Sequence, residues 1–531
     1  MRLKEKRVWF LAFTAVYAAL AGFVFWGTWS PDFAPVMPDC PTQYSPYWFT
    51  EWWNNWRLCG KFVPGDLKIF LGSPYYWQEL QYAIAVYCAA LGMMYFLRGR
   101  GLSRLAAYGS GLLLAFSGYW FSLFSAGHLG WFQWMTYGVF AFGLADRAVI
   151  KNKLRHWLLL GATVAWGSFY QADLWLLFTV FTAVYFIYAC ARERKFPAMR
   201  ALAIAAVAFF LIGAPSFYNA LFKDLAGRDK QIEEGQTIAG DVKDEAEKRW
   251  IFVTNWSLPP NETAEFFVPR INGDTSCMLT LSLGAQQGTG VKQYTGALGR
   301  PKDAAQGNYR QHSLYVGWVT CLLALFGAVL GWRKCLFFAL AAVVFWLFSM
   351  GRYCEMVYRL VYMLPFGDYL RAPVKWHHLT EFCLCVLAAF GVEELFVRFA
   401  KTASSRIWAM VVLGAVILFG ACDLARVNKI YCAGVDMREA RKQNCSQQMT
   451  FLRRSDFNNP QIAQMVRARK VIPLANPNSE VYMVGVLQPW DDKPPATPPM
   501  SLPGFLGVVS IISSLICVLL STGVLGRVFR R

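Results

Sequence analysis

The sequence predicts an all-α polytopic membrane protein of about 12 transmembrane helices, with extracytoplasmic loops and a small α/β extracytoplasmic module. Three observations carry that expectation. Of 531 residues, 56% are hydrophobic and 17% aromatic, while only 16% are charged, against about a quarter in soluble domains. Apolar runs then recur along the chain at roughly 8–29, 79–97, 104–125, 130–149, 156–170, 172–191 and 199–222, and again at 312–331, 335–350, 376–397, 406–422 and 503–526. Most approach the ~20 residues that cross a bilayer core as a helix. Finally, basic residues collect in alternate connections, as the positive-inside rule requires.

The charge pattern sets the orientation expected of the chain. With the N-terminus inside, the cytoplasmic pieces are 1–7, 98–104, 146–155, 192–200, 333–334, 393–406 and 527–531. They hold 23 Lys and Arg against five acids, a net of +18 out of +19 for the whole chain. The short outer turns at 126–130 and 171–173 contain no Lys or Arg. Both termini are therefore expected in the cytoplasm. The basic balance is topology, with some contact to anionic lipid heads, and gives no reason to expect a nucleic-acid partner. The first run follows a basic leader (Arg2, Lys4, Lys6, Arg7), but it is too long and aromatic for a signal peptide and ends without a small-x-small cleavage site. It reads as a retained helix.

The sequence divides into an N-terminal seven-helix membrane module (1–222, with a first outer loop at 30–78), a large extracytoplasmic loop (223–311), and a second membrane module (312–422). A small extracytoplasmic module (423–502) and a final helix with a basic tail (503–531) complete it. The 223–311 loop carries eleven basic and twelve acidic residues and reads as near-neutral and solvated. In 423–502 a helix is expected at 459–469 and a strand at Val481–Leu487, before a Pro-rich linker from Pro494 to Pro503. About half of the 14 cysteines lie in the apolar runs, where Cys acts as a small hydrophobe. Outside them, Cys40 with Cys59 and Cys432 with Cys445 are near enough in sequence to be disulfides in an oxidising compartment, or free thiols. No cofactor motif, Walker loop or metal-ligand spacing appears.

Ionisable residues are scarce inside the runs, with Asp173 and Glu381 the candidates. The remaining polar groups gather at the expected outer rim, a placement suited to chemistry on a lipid-carried substrate whose head group projects from the bilayer. The first outer loop reads Pro38-Asp39-Cys40-Pro41-Thr42-Gln43-Tyr44, followed by an aromatic run through Trp56. A short tail, one helix and an Asp-bearing outer loop with Asp-x-x-x-Gln-Tyr resemble the GT-C membrane glycosyltransferase superfamily. Within it, the chain is similar to the bacterial YfhO-like family. Ser117-Gly118-Tyr119 through Gly127-His128, Asn255-Trp-Ser-Leu-Pro-Pro, and Pro365-Phe-Gly-Asp-Tyr-Leu-Arg371-Ala-Pro373 extend the likeness over nearly the whole chain in short pieces.

The resemblance implies transfer of a sugar from a polyprenyl-phosphate-linked donor to an acceptor hydroxyl on a glycan, glycolipid or polymer. It further implies inversion, a site on the outer face of a bacterial inner (plasma) membrane, and a first-loop carboxylate as general base. Asp39 falls where that carboxylate belongs and Asp32 is the alternative; an Asp in Pro-Asp-Cys-Pro is also an ordinary turn residue, and Asp32 marks a helix end. Gln43 and Tyr44 would line the substrate. The departing phosphate needs a cationic cradle. Arg371-Ala-Pro373-Val-Lys375 opens a helix whose N-terminus offers free N–H groups and the positive dipole end; the alternative is snorkelling of both cations. Lys375, His378 and Glu381 are three apart and share one helical face, which places His378 beside the substrate. His128 would be a further phosphate ligand, or an exposed turn residue. Two non-enzymatic functions also fit the composition: a transporter or flippase for a lipid-linked substrate, which would show broken helices with polar groups at mid-membrane, and a scaffold of the cell envelope.

Overall fold

A computed structural model describes residues 2–26, 33–35, 48–61, 78–126, 129–170, 172–224, 244–273, 313–364, 367–429, 434–436, 445–453, 460, 464, 471–473, 481–489 and 496–522. Helices dominate them. In the N-terminal module they are α1 (Arg2–Val24), α2 (Trp48–Cys59), α3 (Gln78–Gly99), α4 (Arg104–Ala115), α5 (Gly118–Ala126), α6 (Leu129–Lys151), α7 (Leu154–Gly167), α8 (Ala172–Glu193) and α9 (Met199–Asn219). After α10 (Glu245–Val253) come α11 (Trp318–Leu330), α12 (Trp332–Ser349), α13 (Glu355–Tyr362), α14 (His377–Phe399), α15 (Ala403–Asn428) and α16 (Leu502–Thr522). Among the described residues, seven helices are long and apolar enough to cross a membrane: α1, α3, α8, α9, α12, α15 and α16. The chain is a multi-pass membrane protein.

A helix lies over every apolar run of the sequence, but three runs depart from a simple span. The run at 104–125 is two helices, broken at Phe116–Ser117, where the backbone N–H of Gly118 leaves the ladder and donates to Tyr315 O at 2.7 Å. The run at 312–331 becomes helical only at Trp318; the chain before it is non-helical and turns through Gly317, at φ +95°, a left-handed conformation that costs glycine little. The run at 156–170 yields only the 14 residues of α7. Five residues of π-helix, Ala220–Asp224, extend α9, and Pro215 sits within it. Asn219 Nδ2 donates to Pro215 O at 2.7 Å and to Cys59 O at 2.8 Å, tying this end of α9 to α2.

Helix α14 is deeply buried, with every residue from His377 to Phe382 inside. It packs on α4, α11 and α12. The crossing with α11 is backbone on backbone. A Cβ at Gly391 would lie 2.0 Å from Leu323 O, and one at Gly327 2.0 Å from Leu387 O. Small residues at such crossings let membrane helices approach closely enough for dispersion to bind them. Gly391→Ala is expected to separate the pair and lower stability by about 1–3 kcal/mol, as other overpacked cores do. A thermal unfolding midpoint in detergent equal to that of the wild type would show that the crossing yields without cost.

At the far end of α14 a polar knot ties α6, α8, α12 and α14 to the turn between α3 and α4. Asp146 accepts from Tyr185 Oη at 2.7 Å and Arg192 at 3.1 Å. Arg100 donates to Tyr185 Oη at 3.2 Å and to Lys334 O at 3.3 Å. Glu393 accepts from the Ser103 N–H at 2.6 Å. Several basic residues counted for topology thus also bind helices to one another.

Strands are few. Phe33–Pro35 (β1) pairs antiparallel with Gly434–Asp436 (β2). Cys445–Arg453 (β3), Val471–Pro473 (β4) and Val481–Pro489 (β5) form an antiparallel sheet in the order β3-β5-β4. The strand expected at Val481–Leu487 is β5; the helix expected at 459–469 lies almost wholly outside the described residues, as do Cys40 and Cys432.

Candidate functional site

Of the polar groups singled out from the sequence, Arg371, Lys375, His378, Asp173 and Glu381 are described, and they lie where α8 and α14 begin. A short 3₁₀ turn, Pro373–Trp376, leads into α14. Ahead of it Ala372 is held at φ 65°, and Trp256, in the segment that follows α10, at φ 58°. A non-glycine residue in this region costs about 1–3 kcal/mol and persists only where its surroundings impose it. Here two backbone bonds impose it: the Ala372 N–H donates to Val253 O and the Val374 N–H to Trp256 O, each at 3.2 Å. Arg352 fastens the same segment, donating to Thr254 O at 3.3 Å and Ile251 O at 3.1 Å, while its own backbone N–H donates to Ser257 Oγ at 3.1 Å.

Arg371 and Lys375 engage different partners. The Arg371 guanidinium lies over the rings of Trp256, 4.6 Å from the centroid, and Phe252, at 5.1 Å, a cation–π arrangement that fixes the fork beside the bundle end. Lys375 points inward. It is buried and forms an ion pair and hydrogen bond with Asp173, in the first turn of α8. A buried pair of this kind holds because each charge removes the other's need for water. Lys375 therefore has its charge matched from within the protein.

Behind the pair stand His377, His378 and Glu381, all fully buried. The Tyr119 ring lies 5.0 Å from that of His377 and 4.3 Å from that of His378, measured between centroids. Phe266 packs on His377 at 4.5 Å and Trp120 on His378 at 5.8 Å. Tyr119 Oη donates to Val374 O at 3.2 Å, so α5 is fixed to the entrance of α14. The nitrogens of His377 and the carboxyl oxygens of Glu381 make no hydrogen bond of normal geometry among the described residues. The backbones of Leu314 and Tyr119 face them. This polar centre therefore borders the break between α4 and α5. Asn428 Nδ2 donates to Phe116 O there at 2.7 Å, taking up a carbonyl that the interrupted helix leaves exposed.

The shared face expected for Lys375, His378 and Glu381 is buried throughout, so His378 sits within a ring cluster, one turn inside the Lys375–Asp173 pair. Asp39, Asp32, Gln43, Tyr44 and His128 lie outside the described residues. Among the described residues no group of three or more His, Cys, Asp or Glu comes together so as to hold a metal ion. Sequence reasoning missed the pairing of Asp173 with Lys375 and the clasp of 251–257 on Arg371 and Arg352. The one available signal for the first was that Asp173 is among the rare acids bordering an apolar run. No family model matches the chain, and no curated protein does.

Proposed function

We propose that the chain is an inverting membrane glycosyltransferase that takes its sugar from a polyprenyl-phosphate-linked donor and works on the outer face of the membrane. The reading includes twelve crossings with both termini cytoplasmic. The observation that carries it is the meeting of α8 and α14. Their N-termini lie together at one end of the bundle, with Arg371 held on Trp256 at the rim and the Lys375–Asp173 pair directly beneath. By the distribution of basic residues this end faces outward. In the reaction, the acceptor hydroxyl oxygen attacks the anomeric carbon and the bond from that carbon to the phosphate oxygen breaks. The leaving polyprenyl phosphate keeps the electron pair, and the hydroxyl proton passes to a first-loop carboxylate, Asp39 with Asp32 as the alternative. Arg371 meets the phosphate, because its planar fork can hold two oxygens at once.

The test is transfer. Membranes containing the chain are supplied with polyprenyl-phosphate donors carrying labelled sugars, and label is followed into glycan, glycolipid and polymer fractions. Arg371→Ala should raise the KM for the donor, and Arg371→Lys should restore it only in part. Absence of transfer from every donor, above membranes lacking the chain, would sink the reading. Donor kinetics unchanged in Arg371→Ala would remove the arginine from it. A second reading, a transporter or flippase for a lipid-linked substrate, is favoured by the broken α4–α5 helix beside buried His377, His378 and Glu381, since interrupted helices bordering polar groups are how such proteins build a mid-membrane site. It expects movement of the intact donor between leaflets without release of its sugar.

A further inference from the structure

The short helix α13 divides its surroundings into three sectors. On one side Tyr358 and Val361 are buried. Tyr358 Oη donates to Leu370 O at 3.1 Å, and the Trp250 ring packs tilted against Tyr358 and edge-on to Tyr362, with centroids 6.2 and 5.3 Å away. Burial pushes the Tyr358 hydroxyl above the usual phenol range, so it remains a donor. On a second side Glu355 and Arg359 pair at 2.5 Å, each about half exposed. The third side is apolar and bare: Met356 is 84% exposed, Leu360 63%, Met363 79% and Leu364 59%.

The spacing of these four, i, i+4, i+7 and i+8, makes one continuous stripe on a helix and the turn that ends it. Four large apolar side chains exposed together are costly in water and mark an interaction surface. What covers them follows from their position. Helix α12, which ends at Ser349, is one of the helices able to cross a membrane, and its Leu336, Leu340, Val343 and Val344 are exposed in the manner of a lipid-facing side. The chain passes from α12 to α13 through a single 3₁₀ turn, Gly351–Cys354, and the two helices pack together. The apolar stripe thus sits directly beyond a membrane-length helix that itself exposes large apolar side chains. A helix with core on one flank, an ion pair on another and bare aliphatics on the third has the division that an interfacial helix requires.

We propose that α13 lies in the interface of the bilayer, with Met356, Leu360, Met363 and Leu364 in the acyl region and the Glu355–Arg359 pair toward the head groups. The occupant of the stripe is lipid. The inference stands apart from the transferase reading, since it concerns a surface that either function would possess.

Photocrosslinking of the full chain in native membranes tests it. A benzophenone amino acid is placed singly at Met356, Leu360 or Met363, and at Glu247 on the exposed side of α10 as the control. After illumination, mass spectrometry of the labelled peptides should find phospholipid adducts at the three α13 positions and at most a tenth as much at Glu247. Adducts of protein size at α13 would assign the stripe to a protein partner and overturn the proposal. So would α13 positions no more lipid-labelled than Glu247, which would place the helix in water.

Discussion

Lys375→Met is expected to lower the stability of the protein by about 3–5 kcal/mol, the cost of leaving one member of a buried ion pair without its partner. The side chain removed is nearly isosteric, so the loss is electrostatic. Asp173 would remain buried at the start of α8, still accepting from the Leu174 N–H at 2.9 Å but without its ammonium partner. The double variant Asp173→Asn with Lys375→Met should recover most of that loss, because the two replacements together remove both charges. Thermal or denaturant unfolding of the purified protein in detergent measures all three. If Lys375→Met alone unfolds like the wild type, the lysine is not held by Asp173 in the folded protein, and its role as a substrate anion ligand regains ground. If the double variant is no better than the single, the damage lies in packing around α14.

Asp39→Asn is expected to cut turnover by about 10²–10⁴-fold while leaving expression, detergent stability and donor binding near normal. An acceptor hydroxyl is a poor nucleophile at neutral pH, and a positioned carboxylate that takes its proton in the transition state contributes about that factor. Asparagine keeps the size and one acceptor oxygen but cannot take up the proton. Asp32→Asn is the internal control and should be milder. The ratio of turnover in the two variants, each checked for folding, decides which acid serves. Full activity in both would remove the first outer loop from the chemistry.

The helices were legible because their signal is local. A run of some 20 apolar residues needs no knowledge of its neighbours to become a helix in a bilayer, and each run carries at least one. The departures are tertiary. Ser117-Gly118 is a turn-prone pair inside an unbroken apolar run, and the ladder breaks there because Tyr315 O, far along the chain, takes the Gly118 N–H. Helix α11 starts late for the same reason, since the residues before Gly317 supply that carbonyl. At the site, Arg371, Lys375 and His378 could be singled out by residue type and by a proline-led helix start. Nothing local indicated that Lys375 would turn inward. Its partner lies 202 residues earlier, and with no second sequence to compare, such a pairing leaves no trace. For Arg371 the sequence offers a phosphate cradle or snorkelling, but the aromatic rings beneath it come from a polar stretch that is held by Arg352 and by backbone pairing with Ala372 and Val374.

Helix α16 closes against the first half of the chain. It packs on α7, α9 and α2. Cys517 lies with Ala162, Ala165 and Ala208, Ser514 Oγ accepts from Trp166 Nε1 at 3.0 Å across 348 residues, and Ser501 Oγ donates to Arg57 O at 2.9 Å. During synthesis, therefore, the groove between α7 and α9 must stay filled by lipid, or by an insertion factor, until the ribosome has delivered everything in between. Its small alanine-lined surface and its waiting tryptophan N–H give that groove little reason to close on itself. The arrival of α16 is in this sense a completion signal: a nascent chain cut short of it would present an open seam to the membrane's proteases.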